Sequence, residues 1–145
     1  MVEALEQQLT AFEDACRQAG LRLTPQRIEI FRELAKSTDH PSAETLHLRL
    51  SDKMPTLSLD TVYRTLNTFA GHGLVNKVET IESQARFEAA HVLHHHLVCE
   101  KCKQIMDFQW QLIDQATLPE AVKSWGRIER KSVVAYGTCS RCLGG

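Results

Sequence analysis

Apolar residues recur at helical spacing through the first half of the chain. Leu5, Leu9, Phe12 and Cys16 form one stripe of an amphipathic helix over residues 3–19, which Gly20 ends. Thr24 caps a second helix with Pro25 at its first position, and Ile28, Phe31 and Leu34 make its apolar stripe. Asp39-His40-Pro41 is a turn, after which Ser42 opens a third helix. Met54-Pro55-Thr56 breaks the chain again. Ser58 then caps a fourth helix with Leu59, Val62, Leu66 and Phe69 on its apolar side. The opposite side of that helix carries Asp60, Thr61, Arg64, Thr65, Asn67 and Thr68, with Tyr63 at the margin. These donors, acceptors, methyls and one guanidinium are the groups that touch base edges and phosphates in a major groove. Gly71 and Gly73 end the helix, and residues 74–79 read as a strand. Helices followed by a hairpin fit a winged helix-turn-helix, and equally a small helical bundle.

The period changes after a polar, turn-like seam at residues 80–84, a wing tip or hinge. Residues 84–88 and 96–108 read as strands around a cysteine knuckle. Residues 110–125 are broadly helical with an interruption at Pro119, and residues 126–136 form a last strand. The expected fold class is α+β, with domains at residues 1–82 and 83–145.

Composition narrows the class. A chain of 145 residues, 43% hydrophobic, can bury a core as one domain or two small ones. It has no apolar run long enough for a bilayer, and its acidic start, Met1-Val2-Glu3-Ala4-Leu5-Glu6, is unlike a signal peptide, so a cytoplasmic protein is expected. Residues 1–75 balance eight Lys and Arg against ten acids, so any nucleic-acid surface must be local. Arg22, Arg27, Arg32 and Lys36 decorate the second helix, where a solvated face explains them as well as DNA does.

The chemistry is concentrated in residues 86–108. Strand side chains alternate, so His94 and His96 share one face while His95 and Cys99 share the other. One strand can therefore serve a nitrogen/oxygen site and a separate sulfur site. Cys99-x2-Cys102 has a twin in Cys139-x2-Cys142, a pattern that suits structural Zn2+ held by four thiolates. Two disulfides or a redox pair are the alternatives, but the first needs an oxidising compartment and the second explains only one pair. Cys16, on an apolar face, reads as a buried thiol. His40 alone carries little weight.

With these motifs in order, the chain resembles the ferric uptake regulator family of bacterial metal-dependent repressors. The resemblance runs nearly end to end. It rests on Leu23-Thr24-Pro25-Gln26-Arg27, His40-Pro41-Ser42-Ala43-Glu44, Thr61-Val62-Tyr63-Arg64-Thr65-Leu66, Arg86-Phe87-Glu88, the run from His94 to Cys102, Asp107-Phe108 and the terminal cysteine pair. It implies a winged-helix DNA-binding domain, a hinge containing Glu88, and a small α/β dimerisation domain. It further implies a homodimer that binds an AT-rich palindromic DNA operator when loaded with metal, and no enzyme activity. Structural zinc falls on Cys99, Cys102, Cys139 and Cys142. A regulatory Fe2+, Mn2+ or Zn2+ falls on His40, Glu88, His94, His96 and Asp107. Candidate DNA contacts are Arg22, Arg27, Thr61, Tyr63 and Arg64, of which Tyr63 and Arg64 occupy recognition-helix positions.

Some positions depart from the family's branches. Its peroxide-sensing members usually carry aspartate where this chain has Glu88, and its zinc sensors often use a cysteine in the regulatory site. The additional dimer-domain site of some members would need ligands at positions held by Leu93 and Lys131, and neither serves well. His91 and His95 are left as surface residues or supports. The rival readings are a metallohydrolase using the histidine/carboxylate site and a zinc-stabilised interaction module.

Overall fold

In a computed structural model, residues 2–79, 84–89, 95–128 and 131–144 are described. The chain divides into two units, Met1–His91 and Val92–Gly145.

The first unit is four helices and a hairpin: α1 (Val2–Ala19), α2 (Pro25–Lys36), α3 (Ala43–Leu50), α4 (Leu59–Gly71), β1 (Val75–Val78) and β2 (Arg86–Ala89). Side chains set the helix starts. Thr24, Ser42 and Ser58 each accept the backbone N–H three residues on, at 3.2, 3.2 and 3.1 Å, satisfying donors that the helix leaves over. The apolar stripes converge on one core in which Phe12 stacks on Phe31 (centroids 3.9 Å apart) and meets Phe69 edge-on. In α2 the buried residues are Ile30, Phe31 and Leu34, with Ile30 taking the place expected for Ile28. Cys16 is buried in it, and burial raises its thiol pKa.

β2 departs from the expected layout. It pairs antiparallel with β1, Asn76 opposite Glu88 and Val78 opposite Arg86, and Phe87 is fully buried in the helical core. It therefore belongs to the wing of the first unit rather than to the cysteine knuckle. The division accordingly falls after His91 instead of after residue 82, and Glu88 sits on a paired strand instead of in a hinge. Alternation puts Phe87 inward and leaves Arg86 and Glu88 on the other face of β2.

The second unit comprises β3 (His95–Cys99), β4 (Ile105–Phe108), α5 (Gln111–Gln115), a 3-10 turn (Glu120–Trp125), β5 (Val134–Gly137) and α6 (Ser140–Gly144). β3 is central, antiparallel to β4 and parallel to β5. The last strand is shorter than expected, because only Val134–Gly137 pairs with β3. Ahead of it, the Lys131 ammonium donates to the carbonyls of Asp114 and Ala116 at the end of α5, at 3.0 and 2.9 Å. Among the described residues, no helix is long and apolar enough to cross a membrane.

Candidate metal and nucleic-acid sites

The four paired cysteines meet in the second unit. Cys99 and Cys102 flank the turn between β3 and β4, while Cys139 and Cys142 enter from the end of β5 and from α6. Their sulfurs all lie within 4.8 Å of one another, with Cys99–Cys142 and Cys102–Cys139 both at 3.8 Å. A disulfide requires about 2.05 Å. Four Zn–S bonds of about 2.3 Å at tetrahedral angles place sulfurs about 3.8 Å apart, so the set has the dimensions of a closed thiolate site. Backbone N–H groups of Cys102 and Cys139 point at the Cys99 sulfur from 3.5 and 3.3 Å and pull its pKa down to about 5. The Cys102 pKa is lowered, chiefly by the backbone N–H of Gln104. The hydrogen bond to the Cys139 sulfur and desolvation push Cys142 up to about 12. Four crowded thiolates repel one another, so the last proton is held tightly until a dication offsets the charge. Arg141, between the last two cysteines, hydrogen-bonds Cys102 and also faces the charges of Cys139 and Cys142. Composition gave no cue to that role; its place inside the Cys-x2-Cys turn was the available signal.

The histidine/carboxylate residues occur as two pairs, one in each unit. In the first, the His40 Nε2 lies 2.6 Å from a Glu88 oxygen, and the other Glu88 oxygen accepts from Asn76 at 3.2 Å. His40 is buried and has φ +50°, a left-handed conformation that costs a non-glycine residue about 1–2 kcal/mol. Three contacts hold it there. Arg86 Nε donates to the His40 carbonyl, the same guanidinium donates to the Asp39 carbonyl at 2.9 Å, and Phe87 N–H donates to Pro41 at 2.9 Å. In the second unit His96 and Asp107 are cross-strand partners, with Nε2 3.5 Å from the carboxylate. His94 lies outside the described residues, as do Leu93 and His91. Imidazole and carboxylate donors of this kind suit Fe2+, Mn2+ or Zn2+.

His95 is not a surface residue. It is fully buried, its Nε2 is 2.7 Å from Asp114, and its Nδ1 accepts the backbone N–H of Val133 at 2.9 Å. Because Nδ1 accepts, the ring hydrogen sits on Nε2 and goes to Asp114. His95, Asp114 and Lys131 thus form a hydrogen-bonded brace between β3, α5 and the approach to β5.

On the first unit, Arg22, Arg27, Thr61 and Arg64 line one cleft between the start of α2 and the polar face of α4. Thr24, Gln26, Thr65 and Thr68 line it too. Arg27 donates to the Arg22 carbonyl at 2.7 Å, and the exposed Arg64 reaches back to Asp60 at 2.9 Å. Tyr63 lies apart from the cleft, packed against the core beside Glu44, whose carboxylate accepts its hydroxyl hydrogen and raises its pKa. The helical spacing that puts Val62 and Leu66 inside draws Tyr63 toward them.

Known proteins resemble this arrangement along nearly the whole chain. The peroxide-responsive repressor PerR of Staphylococcus epidermidis is 33% identical over 142 residues, spanning 97% of this chain and 94% of that protein. The ferric uptake regulator Fur of Vibrio cholerae superposes with a TM-score of 0.67 at 32% identity, covering 87% of this chain and 98% of that one. The Helicobacter pylori Fur structure, described as having three functional metal-binding sites, gives a TM-score of 0.73 at 25% identity over 96% and 93% of the two chains. These relatives are repressors and uptake regulators, which gives the hydrolase reading no support. Residues 18–133 match the ferric uptake regulator family, and the chain belongs to that family.

Proposed function

We propose that this protein is a metal-responsive transcriptional repressor of metal-homeostasis or oxidative-stress genes that binds an AT-rich palindromic operator as a homodimer. It acts in the cytoplasm and is not an enzyme. The observation that carries the reading is the presence, in one family member, of a four-sulfur cluster with zinc dimensions and of a histidine–carboxylate pair in each of the two units.

The four cysteines hold structural zinc and close the second unit. The regulatory ion, Fe2+, Mn2+ or Zn2+, takes His40, Glu88, His94, His96 and Asp107 as ligands. Two of these belong to the DNA-binding domain and three to the dimerisation domain. Ligands shared in this way link metal occupancy to the spacing of the two recognition helices, because the ion favours the conformation that offers all five donors. A coupling of about 1–3 kcal/mol is typical of such regulation. Arg22, Arg27, Thr61 and Arg64 supply the cleft that follows the DNA backbone and base edges, and Tyr63 contacts the groove from the edge of α4. Support for a homodimer comes from the exposed apolar row Leu97, Met106 and Ala135 across the second unit's sheet.

The test is anaerobic fluorescence anisotropy on an AT-rich palindromic duplex, using protein that retains its tight zinc. Added Mn2+, Fe2+ or Zn2+ should tighten binding, and the rank of the metals identifies the effector. Binding that ignores all three metals would refute the reading. Similarity to a peroxide-responsive repressor raises a peroxide-sensing variant of the same function, against which stands Glu88 at the position where that branch usually carries aspartate. Hydrogen peroxide added to the Fe2+-loaded protein should then place one oxygen atom on a ligand histidine, detectable by mass spectrometry; an unmodified protein that stays bound to DNA excludes that branch.

A further inference from the structure

We propose that Arg86 is a positioning residue of the regulatory metal site: it holds the strained turn that presents His40, while Glu88 from the same strand face meets the His40 ring. The inference rests on the reading of His40 and Glu88 as metal ligands.

The geometry is a division of labour within three residues of β2. Alternation points Arg86 and Glu88 the same way, with Phe87 anchored in the core between them. Arg86 engages the backbone of the turn through two successive carbonyls, those of Asp39 and His40. Glu88 engages the side chain, at 2.6 Å from Nε2. The backbone of β2 runs alongside the same turn, bridging Ser42 to Arg86 and Phe87 N–H to Pro41. From the other side, the Arg49 guanidinium grips the Asp39 carboxylate through two N–H groups at 3.1 and 2.5 Å. The clamp matters because His40 has φ +50°, a conformation the free turn would leave. A planar fork with several fixed donors holds two adjacent carbonyls in one set geometry, whereas a lysine ammonium, a point charge on a flexible stem, can reach carbonyls without fixing their relative orientation. Without the fork the turn relaxes, and the imidazole no longer meets Glu88 in the orientation a shared ion needs.

The test uses the full chain with its tight zinc in place and Co2+ as an absorbing probe, titrated anaerobically. Groups that orient metal ligands typically contribute about 10–100-fold in affinity. Arg86→Ala should therefore weaken Co2+ binding at least about tenfold and alter its d–d bands, with zinc content and helical circular dichroism retained. Arg86→Lys should recover only part of the affinity. In a His40→Ala background, Arg86→Ala should change Co2+ affinity no further. If Arg86→Ala fails to fold, Arg86→Met, which keeps the aliphatic stem and removes the fork, makes the same comparison. Wild-type cobalt affinity and spectrum in the Arg86 variants would overturn the inference, and so would an equal loss with and without His40. Unchanged Co2+ binding in His40→Ala alone would instead overturn the metal-site reading, and the inference with it.

Discussion

Replacing Cys99 by serine should unfold the second unit while leaving the first intact. Cys99 is the buried member of the sulfur cluster, lies 3.8 Å from Cys142, and receives backbone N–H groups from both cysteine pairs. Its loss removes the group that ties β3 to the chain's last turn. The magnitude follows from how little else holds this unit together within a single chain, before the dimer covers any of its apolar surface. Among the described residues from 95 onward, Val98 and Ile105 are its buried aliphatic side chains, while Leu97, Met106, Trp110, Leu112, Val122, Trp125, Ile128, Tyr136 and Leu143 are exposed. Burying two such side chains contributes about 3–6 kcal/mol. A structural zinc contributes on the order of 10–16 kcal/mol to folding, so the metal outweighs the apolar core of this unit. Both tryptophans, Trp110 and Trp125, lie in this unit, so fluorescence reports on it selectively. Cys99→Ser protein should contain no tight zinc by chelator assay, lose near-ultraviolet tryptophan dichroism, and lose dispersed amide signals from residues 95–137. Signals from α1–α4 should persist. A zinc-free Cys99→Ser protein with native dispersion throughout the second unit would show that this unit folds without the metal.

Other perturbations separate the remaining roles. His96→Ala should retain zinc yet lose the Mn2+-dependent tightening on operator DNA in an anisotropy titration; loss of zinc would show that the two sites are not independent. Arg64→Ala, at an exposed ion pair, should leave the melting temperature nearly unchanged, weaken operator binding, and lower the magnitude of the salt slope by about 1 if a phosphate contact is lost. Phe69→Ala should cost about 3–5 kcal/mol in the first unit, read from its denaturation midpoint, because Phe69 is fully buried against Phe12. Acidification should release zinc. Protons compete with the metal for all four sulfurs, and the depressed pKa of Cys99, about 5, makes that sulfur the one that resists protonation longest as the pH falls. A colorimetric chelator should detect little zinc at about pH 7 and progressively more as the pH is lowered.

Much of the architecture is local in origin and was therefore readable from the chain. Helix starts follow from Thr24, Ser42 and Ser58, whose hydroxyls meet N–H groups three residues away, and the core stripes follow from a 3.6-residue period. Cysteine spacing marked the thiolate set because both pairs are short turns. What the chain did not disclose depends on partners distant in sequence. The pattern around Phe87 reads as a strand in either unit, and only the space between α2 and β1 decides that it joins the wing. His95 resembles its neighbours His94 and His96 in composition, and only Asp114 and Val133 make it a buried brace. Arg86 reads as an ordinary strand cation until the turn 46 residues earlier brings two carbonyls to its guanidinium. Side-chain alternation and capping operate over a few residues and survive in the sequence. Which buried polar group finds which partner is settled only when the chain closes on itself, because desolvation makes each unpaired group costly and the fold selects the pairings that avoid that cost.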